Sequence, residues 1–201
     1  MPNKFQANYC RALVIAHGAS EYQIASYIKR NLRIPMEIKA RDSGRHSIQI
    51  NGLAAYLKKL YPNQNALLDD VNANQKNKKL VDFAVFTIMD TDDCDPPSLC
   101  QKYKDRTIFD GLWIQPYIYP IYNTPSLEHI LYNANIIDKM LSDDEKMRVY
   151  RKIFPLDKNN PIQKGITEME AFRDEIRNVN NTNLDEFVDY CIRWAASNRV
   201  N

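Results

Sequence analysis

The sequence predicts an α/β fold: a small, mostly parallel sheet of about four strands flanked by helices, followed by an all-helical C-terminal extension. Three observations carry that expectation. Residues 83–89 (FAVFTIM) are apolar, β-branched and aromatic without alternation, the pattern of a strand buried on both faces. Residues 11–16 (RALVIA) repeat that character and pass through a glycine turn into residues 22–32, where Ile24, Tyr27, Ile28 and Leu32 fall at helical spacing. Strand, tight turn and helix make half of a βαβ unit. Beyond about residue 140 the strand patterns stop, and three helix-start signals follow one another.

Each element has its own justification. Ser20 is a good N-cap for the first helix, and Glu21 lies in the first turn, where the helix dipole favours an anion. Pro35 stops that helix. Residues 36–40 (MEIKA) alternate and read as a second strand, and 41–47 form a polar loop with two arginines. Residues 52–61 make a second helix, closed by Pro62. The segment 66–79 is polar and amide-rich. Its first half is helical through Leu67, Leu68 and Val71, and 72–79 read as an exposed basic loop or helix end. After the strand at 83–89, residues 95–97 turn and 98–109 form a helix. Residues 112–121 (LWIQPYIYPI) give a fourth strand, which Pro116 and Pro120 make irregular or an edge. Thr124 caps, and Pro125 opens, a helix over 126–134. Ser142 and Glu145 make a capping box for a helix that runs to Phe154 and ends at Pro155. Residues 157–164 are a loop. Thr167 and Glu170 box a helix to about Asn178, and Asn183 caps the last one, which ends near Ser197. The expected division is 10–135 for the α/β domain and 136–201 for a helical extension packed on it.

Composition narrows the class. The chain has 201 residues, 44% of them apolar, with five glycines and ten prolines, which suits a packed core rather than a loop-dominated chain. A net charge of +2 gives no global basic field, so contact with a polyanion must come from local patches. Cys10, Cys94, Cys100 and Cys191 form no CxxC pair and cluster with no histidine, which argues against zinc. They read as reduced thiols of a cytoplasmic protein. No apolar run reaches 18 residues and no signal-peptide pattern occurs, so neither a membrane span nor secretion is expected. The sequon at Asn180-Asn181-Thr182 is then an accident of an Asn-rich linker. No phosphate-cradling Walker loop is present, so no ATPase is built in.

The chemistry concentrates where the buried run at 83–89 ends. Asp90, Asp92 and Asp93 follow it directly. With the backbone still extended, Asp90 and Asp92 would point to one side, roughly 7 Å apart. Clustered acids repel unless a cation or a basic partner sits between them. Parallel strands gather their carboxyl ends at one edge, where ligands of open α/β sheets collect. Glu21 would lie at that edge too. A set of carboxylate oxygens without sulfur suits Mg²⁺ or Mn²⁺, and such ions serve phosphodiester cleavage or transfer. Each acid also has a plainer role: Asp92 and Asp93 as turn or cap residues, Glu21 as a helix-start acid, and Glu128 as a solvated helix acid beside Leu127, Ile130 and Leu131.

On these residues the chain resembles the TOPRIM domain shared by topoisomerases, primases and several nucleases. That family has a Glu-Gly turn after its first strand and an Asp-x-Asp after a later one. The counterparts here are His17-Gly18 and Asp90-Thr91-Asp92. Within the superfamily the chain is most similar to the RloB-like and OLD-type nucleases, whose Glu-Gly-x-Ser/Thr-Glu pattern is matched by Gly18, Ser20 and Glu21. Thr124-Pro125-Ser126-Leu127-Glu128 is similar, in Pro and Glu, to their Asn-Pro-x-Phe-Glu segment. The resemblance covers roughly 11–135 and departs at His17, which stands where the family has an acid. Histidine can ligate Mn²⁺ or act as a general base. Alternatively the site is weakened, or Glu21 takes over.

The resemblance implies a Mg²⁺- or Mn²⁺-dependent endonuclease of RNA or DNA, with a role in phage defence and an ATPase partner or homo-oligomer. Asp90, Asp92 and Glu21 would hold metal, with Asp93 in reserve and His17 as ligand or base. Arg41, Arg45 and His46 on the loop after the second strand, the basic run Lys76, Lys78 and Lys79, and Glu128 are candidate substrate contacts. Tyr117, Tyr119 and Tyr122 could stack bases, and Lys146, Arg148, Arg151 and Lys152 could clamp a substrate from the tail. The rival expectation is a TOPRIM module with a degraded site, serving as a nucleic-acid-binding or interaction subunit. A phosphotransferase with the same metal logic ranks last, for want of a nucleotide loop.

Overall fold

The computed structural model describes residues 9–156 and 161–197. The expected lead-in at 1–8, the loop residues 157–160 and the last four residues lie outside these. In chain order the elements are β1 (Ala12–Ala16), α1 (Ala19–Leu32), β2 (Met36–Lys39), α2 (Ile50–Leu60), α3 (Gln64–Asp70), β3 (Gln75–Lys76), β4 (Lys79–Leu80), β5 (Ala84–Asp90), α4 (Ser98–Lys104), β6 (Ile118–Asn123), α5 (Leu127–Asn133), α6 (Asp143–Ile153), α7 (Ile162–Arg177) and α8 (Leu184–Ser197). Four strands form one all-parallel sheet in the order β2-β1-β5-β6. This is the α/β class read from the sequence.

The unbroken apolar character of β1 and β5 follows from their central position. Every residue of β1 is buried, because helices cover both faces of the sheet. On one face Ala12, Val14, Phe86 and Ile88 pack with Ile24 and Ile28 of α1 and with Met169, Phe187 and Cys191 of the tail helices. On the other, Leu13, Ile15, Val85 and Met89 pack with Leu53, Leu57, Leu67 and Tyr103. Each Val, Leu, Ile, Phe or Met side chain among them contributes on the order of 1.5–3 kcal/mol by leaving water. The buried Tyr103 hydroxyl lies 2.6 Å from the Thr87 carbonyl and 2.9 Å from that of Ile121, so burial leaves no polar group unsatisfied there.

The tail helices share the first of these cores. Gly165 of α7 sits against the backbone of α1 so closely that a Cβ would lie 2.4 Å from the Asn31 carbonyl oxygen. Two polar bonds reinforce the seat: the Tyr27 hydroxyl donates to Glu168 at 3.0 Å, and the Gln23 amide donates to the Phe154 carbonyl at 2.7 Å. α6 opens with the expected Ser142–Glu145 box. The Asn-rich stretch read as a linker instead covers the outer edge of β6. Asn183 accepts from Tyr122 N–H at 2.9 Å and donates to the Pro120 carbonyl at 3.0 Å, and Thr182 bridges to Asn123.

Several elements differ from expectation. Cys94 and Cys100 form a disulfide, while Cys10 and Cys191 are free and buried, so the four are not all reduced thiols. α1 begins at Ala19 with Gly18, not Ser20, as its cap. α2 begins two residues early, at Ile50. Residues 72–79 hold a hairpin of β3 and β4, whose turn residues Asn77 and Lys78 have φ of 51° and 61°. Two left-handed residues are what a two-residue hairpin turn needs. The helix at 98–109 stops at Lys104 and resumes as a 3₁₀ turn, Thr107–Phe109, after the left-handed Arg106. The fourth strand starts only at Ile118, because Gln115–Tyr117 is a 3₁₀ turn around Pro116, which has no N–H for a ladder. α5 is capped by Ser126 and lies after Pro125. α7 starts five residues before Thr167, which bonds back to the Gln163 carbonyl from inside the helix. Among the described residues no helix is long and apolar enough to cross a membrane.

Candidate functional site

The register of the two central strands builds the site. Ala16 of β1 pairs with Ile88 of β5, and His17 N–H donates to the Ile88 carbonyl at 2.9 Å. His17 and Asp90 therefore leave the sheet at the same edge. Gly18 follows in extended conformation, and its N–H donates to Glu21 Oε2 at 2.8 Å. Glu21 thus caps the helix it belongs to, as its plainer reading held. It is also only 3% exposed. Burial pushes its carboxyl up to about 7, against the bonds to backbone N–H groups and the nearby charge of Lys146.

Asp90 is the second strained acid. Burial first, and then the charge of Glu21, push it up to about 8, while His17 pulls the other way. Its Oδ1 accepts from Leu127 N–H at 2.8 Å and from the Asn123 amide at 3.4 Å. Glu21 and Asp90 leave the sheet at the same edge, close enough for the charge of Glu21 to bear on Asp90. Asp92 adds to the repulsion on both.

Asp92 does not continue the strand. β5 ends at Asp90, and the chain turns through Thr91–Asp93, held by bonds from the Thr91 and Asp92 N–H groups to the Pro125 carbonyl at 2.9 and 3.0 Å. The expected same-side pairing of Asp90 and Asp92 is thereby corrected: a turn, not an extended segment, relates them. Asp92 is exposed. Asp93 is half-buried, with its carboxyl raised by burial and lowered by His17. Two buried atoms here, His17 Nδ1 and Asp93 Oδ1, have no hydrogen-bond partner among the described residues.

The tail adds Tyr150, which the sequence reading did not name, and gives Glu128 and Lys146 places it did not assign. Glu128, on α5, is buried rather than solvated; it accepts from Leu141 N–H and pairs with Lys146 Nζ of α6 at 3.3 Å. Tyr150, one turn along α6, bonds to Ser20, and the charges of Glu21, Asp90 and Glu128 join its burial in raising its phenol. Lys146 and Tyr150 therefore belong to the acidic site. The available signal was their four-residue spacing behind the Ser142 box, which puts both on one helix face.

The remaining candidates divide. Arg41, Arg45 and His46 lie on the loop after β2, at the acidic edge. Gly44, at φ +88°, lets that loop press on the start of α1, where a Cβ would meet Ala19 Cα at 2.7 Å. Ile48 N–H donates to the His17 carbonyl at 2.8 Å. Arg41 and Arg45 are exposed, and His46 Nδ1 lies 2.7 Å from Asp42. Lys78 and Lys79 are not with the acids. Their hairpin leads into the start of β5, the chain just before it bridges at Cys10, and Leu80 N–H bonds to the Tyr117 hydroxyl. All three attachments are at the opposite edge.

No family model, curated protein or solved structure matches the chain. What the site can do therefore rests on its own geometry. Among the described residues no three His, Cys, Asp or Glu side chains form a ready-made metal-holding group. Carboxylate oxygens with one imidazole are donor types that hard divalent cations accept. Two buried atoms at this edge, the Asp93 Oδ1 and the His17 Nδ1, are left without a hydrogen-bond partner among the described residues.

Proposed function

We propose that the protein is a divalent-metal-dependent nuclease that hydrolyses phosphodiester bonds of RNA or DNA, the activity its TOPRIM resemblance implies. The observation supporting this reading is that the buried Glu21 and the half-buried Asp90 stand at one sheet edge, where the charge of Glu21 bears on Asp90 and that of Asp92 bears on both. Asp90, Asp92 and Asp93 would hold Mg²⁺ or Mn²⁺, with Glu21 as the remaining acid. A bound ion supplies Lewis-acid polarisation of a phosphoryl oxygen. His17 accepts the proton of the attacking water, or ligates the ion through its unpartnered Nδ1. Lys146 neutralises Glu128 and part of the charge on Glu21, and Arg41 and Arg45 draw the phosphate backbone to the edge. A cytoplasmic location, a defence role and an ATPase or self-association partner belong to the same reading.

The test compares cleavage of RNA, single-stranded DNA and duplex DNA with Mn²⁺, Mg²⁺ and EDTA, by the native chain and by Asp90→Ala. Metal-dependent cleavage lost in the variant supports the proposal. Absence of cleavage on every substrate, with no Mn²⁺-induced rise in melting temperature, overturns it. The second reading, a binding module with a degraded site, draws on His17 in the acid's position and on the lack of a ready-made metal group among the described residues.

A further inference from the structure

A cleft of about 800 Å³ opens beside the acidic edge, between the loop after β2 and the first face of α2. Its lining includes Arg41, Gln49, Asn51, Tyr56 and Lys59, and no carboxylate among the described residues. Neighbouring basic side chains already have partners: Lys39 pairs with Asp70 at 2.7 Å, and His46 lies against Asp42. Arg41 and Lys59 have no ion-pair partner among the described residues. The cleft therefore carries two uncommitted positive charges, amide side chains and one half-buried aromatic ring. Its wall is tied to the acidic site through the Ile48–His17 bond, and the Gly44 contact holds the loop on α1.

We propose that this cleft seats one unpaired nucleotide of a single-stranded polynucleotide, with its base on Tyr56, its base edge at Gln49 and Asn51, and its phosphate between Arg41 and Lys59. The volume is that of a small-ligand pocket. A duplex keeps its bases stacked and paired, and presents only phosphates and groove edges to a concave site. An unstacked base offers a face to an aromatic ring and an edge to amides. This names the substrate class for the proposed nuclease and rests on that reading only for the strand's onward path to Asp90.

The experiment is fluorescence anisotropy in EDTA, with labelled single-stranded DNA and RNA 12-mers and the matching duplex. Single strands should bind more tightly than the duplex. Tyr56→Ala should weaken single-strand binding about tenfold, whereas Tyr56→Phe retains it. The Arg41→Ala/Lys59→Ala variant should lower the salt slope by about 0.7, the value for the one phosphate they share. Preference for DNA or RNA among single strands identifies the sugar. Duplex binding as tight as single-strand binding, or a folded Tyr56→Ala with native affinity, overturns the assignment. Because no metal is present, loss of the nuclease reading leaves these binding outcomes intact. Conversely, metal-dependent cleavage by a chain whose binding ignores Tyr56 would keep the nuclease and remove the cleft.

Discussion

Glu21 and Asp90 are carboxyl groups that hold protons more tightly in the folded chain than in the unfolded one. Below about pH 3 both states keep those protons. As pH rises the unfolded chain releases them first, so stability falls until pH passes the folded values of about 7 and 8. Metal-free protein should therefore melt at progressively lower temperature between about pH 5 and pH 8, followed by calorimetry. Asp90→Asn should raise the pH 8 melting temperature by about 2–4 °C, the equivalent of roughly 1 kcal/mol, and flatten the profile. Mn²⁺ should restore stability at pH 8 and do little at pH 5. A flat native profile would refute the electrostatic account. Lys146 carries a second residue-scale expectation. It neutralises the buried Glu128 while remaining about a third exposed itself. Lys146→Ala should cost about 1–2 kcal/mol in urea unfolding, less than a fully buried pair, and Glu128→Gln in the same chain should recover part of it.

Elements decide which of the basic residues matter. β5 runs seven residues, roughly 20 Å, and the β3–β4 hairpin joins at its far end. That separation exceeds the ~8 Å screening length at physiological salt. On the proposed nuclease reading, Lys78→Ala/Lys79→Ala should thus leave cleavage rates within about twofold of native at that salt, whereas Arg41→Ala and Arg45→Ala should slow them. The lysine run looked like a nucleic-acid patch because charge is visible in sequence and sheet edge is not. What sequence did convey was the double-sided burial of β1 and β5, since unalternating apolar runs have few other uses. With parallel pairing, that alone put His17, Glu21 and Asp90 at one edge. The turn at Thr91 was hidden, because it is held by Pro125, more than 30 residues away. The capture of Lys146 and Tyr150 was hidden for the same reason, and so was the cover that Asn183 gives β6. The Cys94–Cys100 bridge escaped notice because its spacing matches no recognised pair.

At the scale of the molecule the sheet is a partition between two cores, and only one of them is built from residues before 135 alone. The other is completed by α6, α7 and α8, which also close the acidic edge through Lys146 and Tyr150. The tail is thus part of the site as well as of the fold, and the sequence boundary near 135 marks a change of composition rather than a seam. Both cores meet the same two strands, so the acids stand on the most constrained part of the chain.

Gly165 shows how far that constraint reaches. It abuts Asn31, which lies ten residues along α1 from Glu21, about 15 Å away on a stiff rod. A methyl group at 165 has nowhere to go except into that rod, and the rod ends in the acid. Saturation mutagenesis scored on the proposed cleavage, with thermal unfolding beside it, should accept glycine alone at 165, a position no inspection of the acids would nominate, while its exposed neighbour Lys164 tolerates nearly any replacement.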